Sequence, residues 1–194
     1  MSIFYYDFET TGLNPYHCKV IEYCFMNHEN ESVESLINPK ETLSPKIEMI
    51  TQITNAMSLV APPMEEKLAE ITTFLNLCNS ECVYLVAHNN SGFDRFFFKN
   101  IYKNDRILAP ILNTKVKHID SIHLAKYLLP QLRTFNLKYL CKVFNIIPGT
   151  HRAKDDTIAL KLLFEQLVKR LARQMEIEYE TLITNPKMIY DILY

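Results

Sequence analysis

Apolar residues fall into short continuous runs early in the chain and into helical spacing later. Ile3 to Phe8 is an unbroken apolar and aromatic run, which predicts a buried strand. Val20 to Asn27 and Ser32 to Ile37 read as the next two strands, joined by the polar turn His28-Glu29-Asn30-Glu31. So short a link pairs neighbouring strands antiparallel. Pro45 to Ile53 and Met64 to Leu77 predict helices, the second entered through Pro62-Pro63. Cys82 to Ala87 is a fourth apolar run, ending in polar His88-Asn89-Asn90-Ser91, and a helix is expected from Gly92-Phe93-Asp94 toward Asn104. Val116 to Asp120 reads as a fifth strand, followed by a helix through Leu129 that Pro130 stops. Asn136 to Phe144 and Asp155 to Arg173 are the last helices. Three early strands, then strands alternating with helices, predict an α/β domain on a mixed five-stranded sheet flanked by helices.

Composition narrows the classes. The chain has 194 residues, 48% hydrophobic and 22% charged, enough for one domain with a real core. No apolar stretch of about 18 residues exists, so a spanning helix is excluded, and the opening residues lack the pattern of a signal peptide. Cys18, Cys24, Cys78, Cys82 and Cys141 form no C-x-x-C pair, against a zinc ribbon or a disulfide framework. The expectation is a cytoplasmic or other reducing intracellular compartment.

The net charge of −1 hides an asymmetry. Residues 1–94 sum to −9, residues 95–173 to +11 and residues 174–194 to −3. A basic block of that size points toward a polyanion, although basic helix faces also occur simply as solvated surface. Glycine is scarce: Gly12, Gly92 and Gly149 stand where about 14 would be ordinary. Each lies beside an acidic or histidine cluster, where the backbone must turn tightly or come close to a ligand.

Three clusters carry candidate chemistry. In Asp7-Phe8-Glu9-Thr10-Thr11-Gly12, strand alternation turns Asp7 and Glu9 to one face, roughly 7 Å apart. Such hard oxygen donors suit magnesium or manganese, and taken alone the pair also fits a solvated strand end. In Ala87-His88-Asn89-Asn90-Ser91-Gly92-Phe93-Asp94, a strand turns into a helix with Asp94 at its start, where an acid also serves the helix dipole. In Gly149-Thr150-His151-Arg152-Ala153-Lys154-Asp155-Asp156, an imidazole on a loop precedes the longest helix, with Asp155 read as a helix-start acid. A loop imidazole exchanges protons readily near neutral pH.

In combination and order, these clusters resemble the DEDDh branch of the DnaQ-like 3′→5′ exonucleases, whose pattern is D-x-E-T-T-G, then A-H-N with F-D, then H-x-A-x-x-D. Ile50-Thr51-Gln52-Ile53-Thr54, Asp120-Ser121-Ile122-His123-Leu124-Ala125 and Asn136-Leu137-Lys138-Tyr139-Leu140 match the connecting blocks, and the likeness covers residues 1–170 or so. Gln52 departs from the family, which often has glycine there. The resemblance implies an RNase H-like fold with three antiparallel strands and then two parallel ones. It implies that Asp7, Glu9, Asp94 and Asp156 ligate two Mg²⁺ (or Mn²⁺), and that His151 is the general base. Thr10, Thr11, Gly12, Leu13, His88, Asn89 and Phe93 would bind the terminal nucleotide, Leu13 as an apolar wedge and the amides near Gly12 as donors. Arg152, Lys154, Arg133 and Lys138 would track the phosphates of the incoming strand.

The function implied is hydrolysis of a single-stranded DNA 3′ end, or a frayed duplex end, to nucleoside 5′-monophosphates. RNA trimming is the alternative within that class, and a silent nucleic-acid-binding or partner-docking module is the alternative outside it. The expected domain is 1–173. Residues 174–194 form an extension that docks a polymerase, makes a homodimer contact, or packs on the core.

Overall fold

The computed structural model describes residues 2–194. Five strands form one sheet: β1 (Ser2–Thr10), β2 (Val20–Asn27), β3 (Ser32–Leu36), β4 (Val83–Ala87) and β5 (Val116–Asp120). Their spatial order is β3-β2-β1-β4-β5, antiparallel across β3, β2 and β1 and parallel across β1, β4 and β5. The mixed α/β architecture expected from the chain is the one observed. The helices are α1 (Pro45–Thr51), α2 (Asn55–Leu59), α3 (Met64–Phe74), α4 (Asp94–Ile101), α5 (Leu108–Lys115), α6 (Ser121–Leu128), α7 (Leu137–Val143), α8 (Ala153–Met175), α9 (Tyr179–Thr184) and α10 (Lys187–Leu193). Among the described residues, no helix is long and apolar enough to cross a membrane.

Both faces of the sheet are covered, which is why β1 and β4 read as continuous apolar runs. Alternation along β1 sends Ile3 and Tyr5 into one core with Leu160, Phe164 and Leu167 of α8. It sends Phe4, Tyr6 and Phe8 into the other core with Phe97 and Phe98 of α4. Asp7 and Glu9 share the parity of Ile3 and Tyr5, so they emerge on the α8 side at the end of the central strand. The ladder slips between Glu9 and Thr10, which ends regular pairing where the acids sit.

The C-terminal segment packs on the core. Leu182 and Ile189 are fully buried in the α8-side cluster, and the Asp120 amide donates to the Tyr194 hydroxyl at 3.2 Å. The pattern missed α2, α5, α9 and α10, and α8 begins at Ala153, two residues before Asp155. Gln52 caps α1 in the left-handed region at φ 58°, a conformation that glycine adopts without strain.

Candidate active site

Asp7 and Glu9 leave β1 beside the start of α8, and Asp94 opens α4 from the opposite layer. One ligand atom each from Glu9, His151 and Asp156 lies within 4.8 Å of the others. Asp94 is buried, and among the described residues its Oδ1 has no hydrogen-bond partner. The charge of Asp94 acts strongly on Asp7, so the structure brings all four acids and the histidine to one end of β1.

The electrostatics follow from that crowding. Burial, then Asp94, Glu9 and Asp156, pushes the Asp7 carboxyl well above the usual carboxylate range. Burial pushes Glu9 up to about 8, with Asp156, Glu22 and Asp94 adding to it and Arg152 opposing it. Burial likewise raises Asp94 to about 8, partly offset by the backbone amides of Asp94 and Phe8. Asp156 is raised by burial, and the His151 charge and amide hold it back. Crowded acids with one orphaned buried oxygen are a donor set lacking its counter-charge. Hard oxygens of this kind fit a divalent cation such as Mg²⁺ or Mn²⁺.

Two local devices hold Asp156. Its carboxyl leans over Gly149, where an added Cβ would overlap Oδ1 and come 2.8 Å from the Asp156 Cα. Gly149 is therefore there for room. None of the three glycines has positive φ, so close approach, not tight turning, explains them. His151 itself takes the left-handed conformation at φ 61°, which aims an exposed ring toward the acids.

The second device is Glu22, which the motifs did not single out. Glu22 faces Glu9 across the β1–β2 ladder. Its oxygens accept from Arg152 Nε at 3.0 and 3.1 Å, from a second guanidinium nitrogen, and from the Ala153 amide at 2.9 Å. Arg152 occupies the N-cap of α8 but makes no cap with its own side chain, so a carboxylate from β2 caps the helix instead. The available signal was a glutamate inside an otherwise apolar strand run. This contact corrects the phosphate track: Arg152 is bound to Glu22, and Lys154 to Glu34 at 2.8 Å. Arg152 is thus engaged within the fold and Lys154 in an exposed ion pair, and among the described residues Arg133 and Lys138 have no such pair.

The candidate nucleotide contacts separate. Leu13 is 83% exposed at the tip of the turn, free of the core. The Thr11 amide is spent on the Lys19 carbonyl at 2.8 Å, and the Thr10 hydroxyl donates to the Gly12 carbonyl at 2.7 Å. The expectation that the amides of this turn face a substrate is corrected at Thr11. The facing loop is built by Asp120, whose carboxylate accepts from the amides of Asn89 at 3.1 Å, Ser91 at 2.8 Å and Ile122 at 3.0 Å. Buried Asn90 adds bonds to the Leu85 and Ile119 carbonyls, both 3.0 Å, and accepts from the Tyr6 hydroxyl at 2.6 Å. This frame leaves Asn89 exposed at φ 65°. His88 Nδ1 pairs with the Ser121 hydroxyl at 2.8 Å, and burial lowers its pKa. Phe93 packs at a tilt against Phe97 with centroids 4.8 Å apart, so part of its ring belongs to the core.

Comparison with known proteins gives a consistent result. The chain is 30% identical over 192 residues to the DNA polymerase III PolC-type of Clostridium perfringens, covering 96% of this chain and 12% of that protein. It is 32% identical over 177 residues to the PolC-type polymerase of Oceanobacillus iheyensis, covering 87% and 12%. The chain thus spans about an eighth of these relatives. A structure of E. coli exonuclease I with a dA16 oligonucleotide superposes with TM-score 0.74 at 20% identity, covering 94% of this chain and 43% of that one. Exonuclease X in complex with 5′ overhanging duplex DNA superposes with TM-score 0.61 at 21% identity, covering 86% and 91%. At that identity the structures speak for the fold. The family model RNase_T, described as an exonuclease, matches residues 4–164, and the chain belongs to that exonuclease family.

Proposed function

We propose that this domain is a metal-dependent 3′→5′ exonuclease acting on single-stranded DNA ends, or on frayed duplex ends. The observation that carries the reading is the meeting of Glu9, His151 and Asp156 within 4.8 Å, beside Asp7 and the orphaned oxygen of Asp94. Asp7, Glu9, Asp94 and Asp156 are the residues that would hold two Mg²⁺ or Mn²⁺ ions. When bound, such ions would offset the charge that builds on the phosphodiester oxygens and acidify the attacking water.

The chain supplies the rest. His151 accepts a proton from the water that attacks the terminal phosphorus; its place within 4.8 Å of Glu9 and Asp156 supports that role. The bond from phosphorus to the 3′ oxygen of the penultimate nucleotide breaks, that oxygen takes a proton from solvent, and a nucleoside 5′-monophosphate leaves. Leu13 separates the last two bases, and the Gly12 amide and Asn89 orient the terminal nucleotide. That relatives at 30–32% identity are named DNA polymerase III PolC-type supports DNA over RNA as the substrate and a polymerase as the partner.

A 5′-labelled single strand incubated with Mg²⁺ should shorten from its 3′ end into a ladder of products, and EDTA or Asp7→Ala should abolish it. An undiminished ladder with Asp7→Ala ends the reading. RNA of the same sequence run beside the DNA decides between DNA degradation and RNA trimming.

A further inference from the structure

The sequence from Ser121 to Lys154 contains no aspartate or glutamate, while it carries six lysines and arginines. Arg152 and Lys154 are bound to Glu22 and Glu34. The remaining four, Lys126, Arg133, Lys138 and Lys142, lie exposed on α6, α7 and the loop joining them, and none forms an ion pair among the described residues. Two tyrosines lie among them in sequence, Tyr127 at 50% and Tyr139 at 37% exposure. Lys126 rests over the Phe135 ring at 5.8 Å.

This stretch adjoins the site on two sides. At the start of α6, the Ser121 hydroxyl pairs with His88 Nδ1 at 2.8 Å, and Asp120 just before it accepts from the Asn89 and Ser91 amides. α7 packs directly on α8, and the chain leaving α7 leads to Gly149 and His151. Unneutralised cations interleaved with exposed aromatic rings match the two needs of a single-stranded nucleic acid: charge for phosphates, and flat faces for bases of any sequence. An acidic protein segment would use the cations and gain little from the rings.

We infer that the α6–α7 face is the path of the strand behind its terminal nucleotide, with Lys126, Arg133, Lys138 and Lys142 on phosphates and Tyr127 and Tyr139 under bases. The inference rests on the exonuclease reading for the identity of the site it leads to, and it deepens that reading by naming where the longer substrate lies.

The test replaces all four cations with glutamine (K126Q, R133Q, K138Q, K142Q) and, separately, both rings with alanine (Y127A, Y139A). Fluorescence anisotropy follows a labelled strand of about twelve nucleotides in EDTA between about 50 and 200 mM salt. The four-fold variant should lose about tenfold or more in affinity, and its log–log salt slope should shrink by about 3, roughly 0.7 per phosphate contact. The tyrosine variant should lose about tenfold with its slope retained. With Mg²⁺, kcat/KM on the long strand should fall in both variants while hydrolysis of a dinucleotide stays within about twofold, since a dinucleotide does not reach this face. Unchanged strand affinity, equal loss on the dinucleotide, or tighter binding of a polyglutamate peptide than of the strand would overturn the inference. If the wild type binds as described but hydrolyses neither substrate, the surface stands and the exonuclease reading falls.

Discussion

Glu22 on β2 grips Arg152 at the foot of α8, through Nε bonds of 3.0 and 3.1 Å and a second guanidinium contact, while capping the same helix at the Ala153 amide. One carboxylate thus ties the helix that bears Asp156, and the loop that bears His151, to the strand beside Glu9. It also places a positive charge next to Glu9, which partly offsets the repulsion of two glutamates facing each other across a ladder.

Glu22→Ala should therefore cost about 2 kcal/mol, less than the 3–5 typical of a broken buried pair because the Arg152 side chain is 37% exposed. The urea midpoint reads this with an unchanged slope. Glu22→Gln keeps an acceptor for the Ala153 amide, so its loss should be smaller. Activity should fall further in Glu22→Ala than in Glu22→Gln.

Gly149→Ala should leave the protein folded and nearly inactive. The new methyl displaces the Asp156 carboxyl, whose Oδ1 occupies that space. The expected loss is on the order of 10²-fold in kcat with weakened Mg²⁺ binding by calorimetry. Wild-type Mg²⁺ affinity in this variant would refute the placement.

The raised carboxylates set a pH dependence. Glu9 and Asp94 titrate near 8 when folded, Asp7 and Asp156 are also raised, and all four titrate near 4 when unfolded. Between those limits the folded state binds more protons, so their contribution to stability falls as pH rises from about 4 to about 8. The metal-free Tm should accordingly decline from these groups across pH 5.5 to 8.5, and the Tm gain on adding Mg²⁺ should grow over the same range. An equal Mg²⁺ gain at both ends would contradict it.

Asp94→Asn removes a buried like charge and keeps the side-chain shape. Metal-free protein at pH 8 should become more stable by 1 kcal/mol or more, about one unit of relieved pKa shift, while hydrolysis drops by on the order of 10³. Stability gained together with activity lost separates a ligand from a scaffold residue.

Deleting residues 174–194 should abolish cooperative folding. Leu182 and Ile189 are fully buried, and Tyr194 binds the Asp120 amide beside the loop carrying His88 and Asn89. Leu182→Ala alone should cost about 2–4 kcal/mol in denaturant unfolding.

The legible part of the molecule was what a local period encodes. The runs at Ile3 and Val83 showed buried strands because both sheet faces are covered, and the parity of Asp7 and Glu9 followed from strand geometry. α5 stayed hidden because Leu108–Lys115 is short and enters through Pro110 with no long amphipathic period. α9 and α10 were equally brief, and their burial depends on α8, which no local pattern reveals. Glu22 was missed because its partner is 130 residues away. Arg152 and Lys154 flank motif blocks in a basic segment, and neither nearness in sequence nor a charge sum reveals that Glu22 and Glu34 fold back against them.

The acids at the end of β1 are contributed from two sides of a thin wall: Asp94 rides on the α4 layer and Asp156 on the α8 layer, with the central strand between them. Cations held jointly by both would stitch one half of the molecule to the other. Loading the ions is then a mechanical event as well as a chemical one, and the unloaded domain should breathe along this seam, exchanging the amides at the starts of α4 and α8 faster than those in their middles.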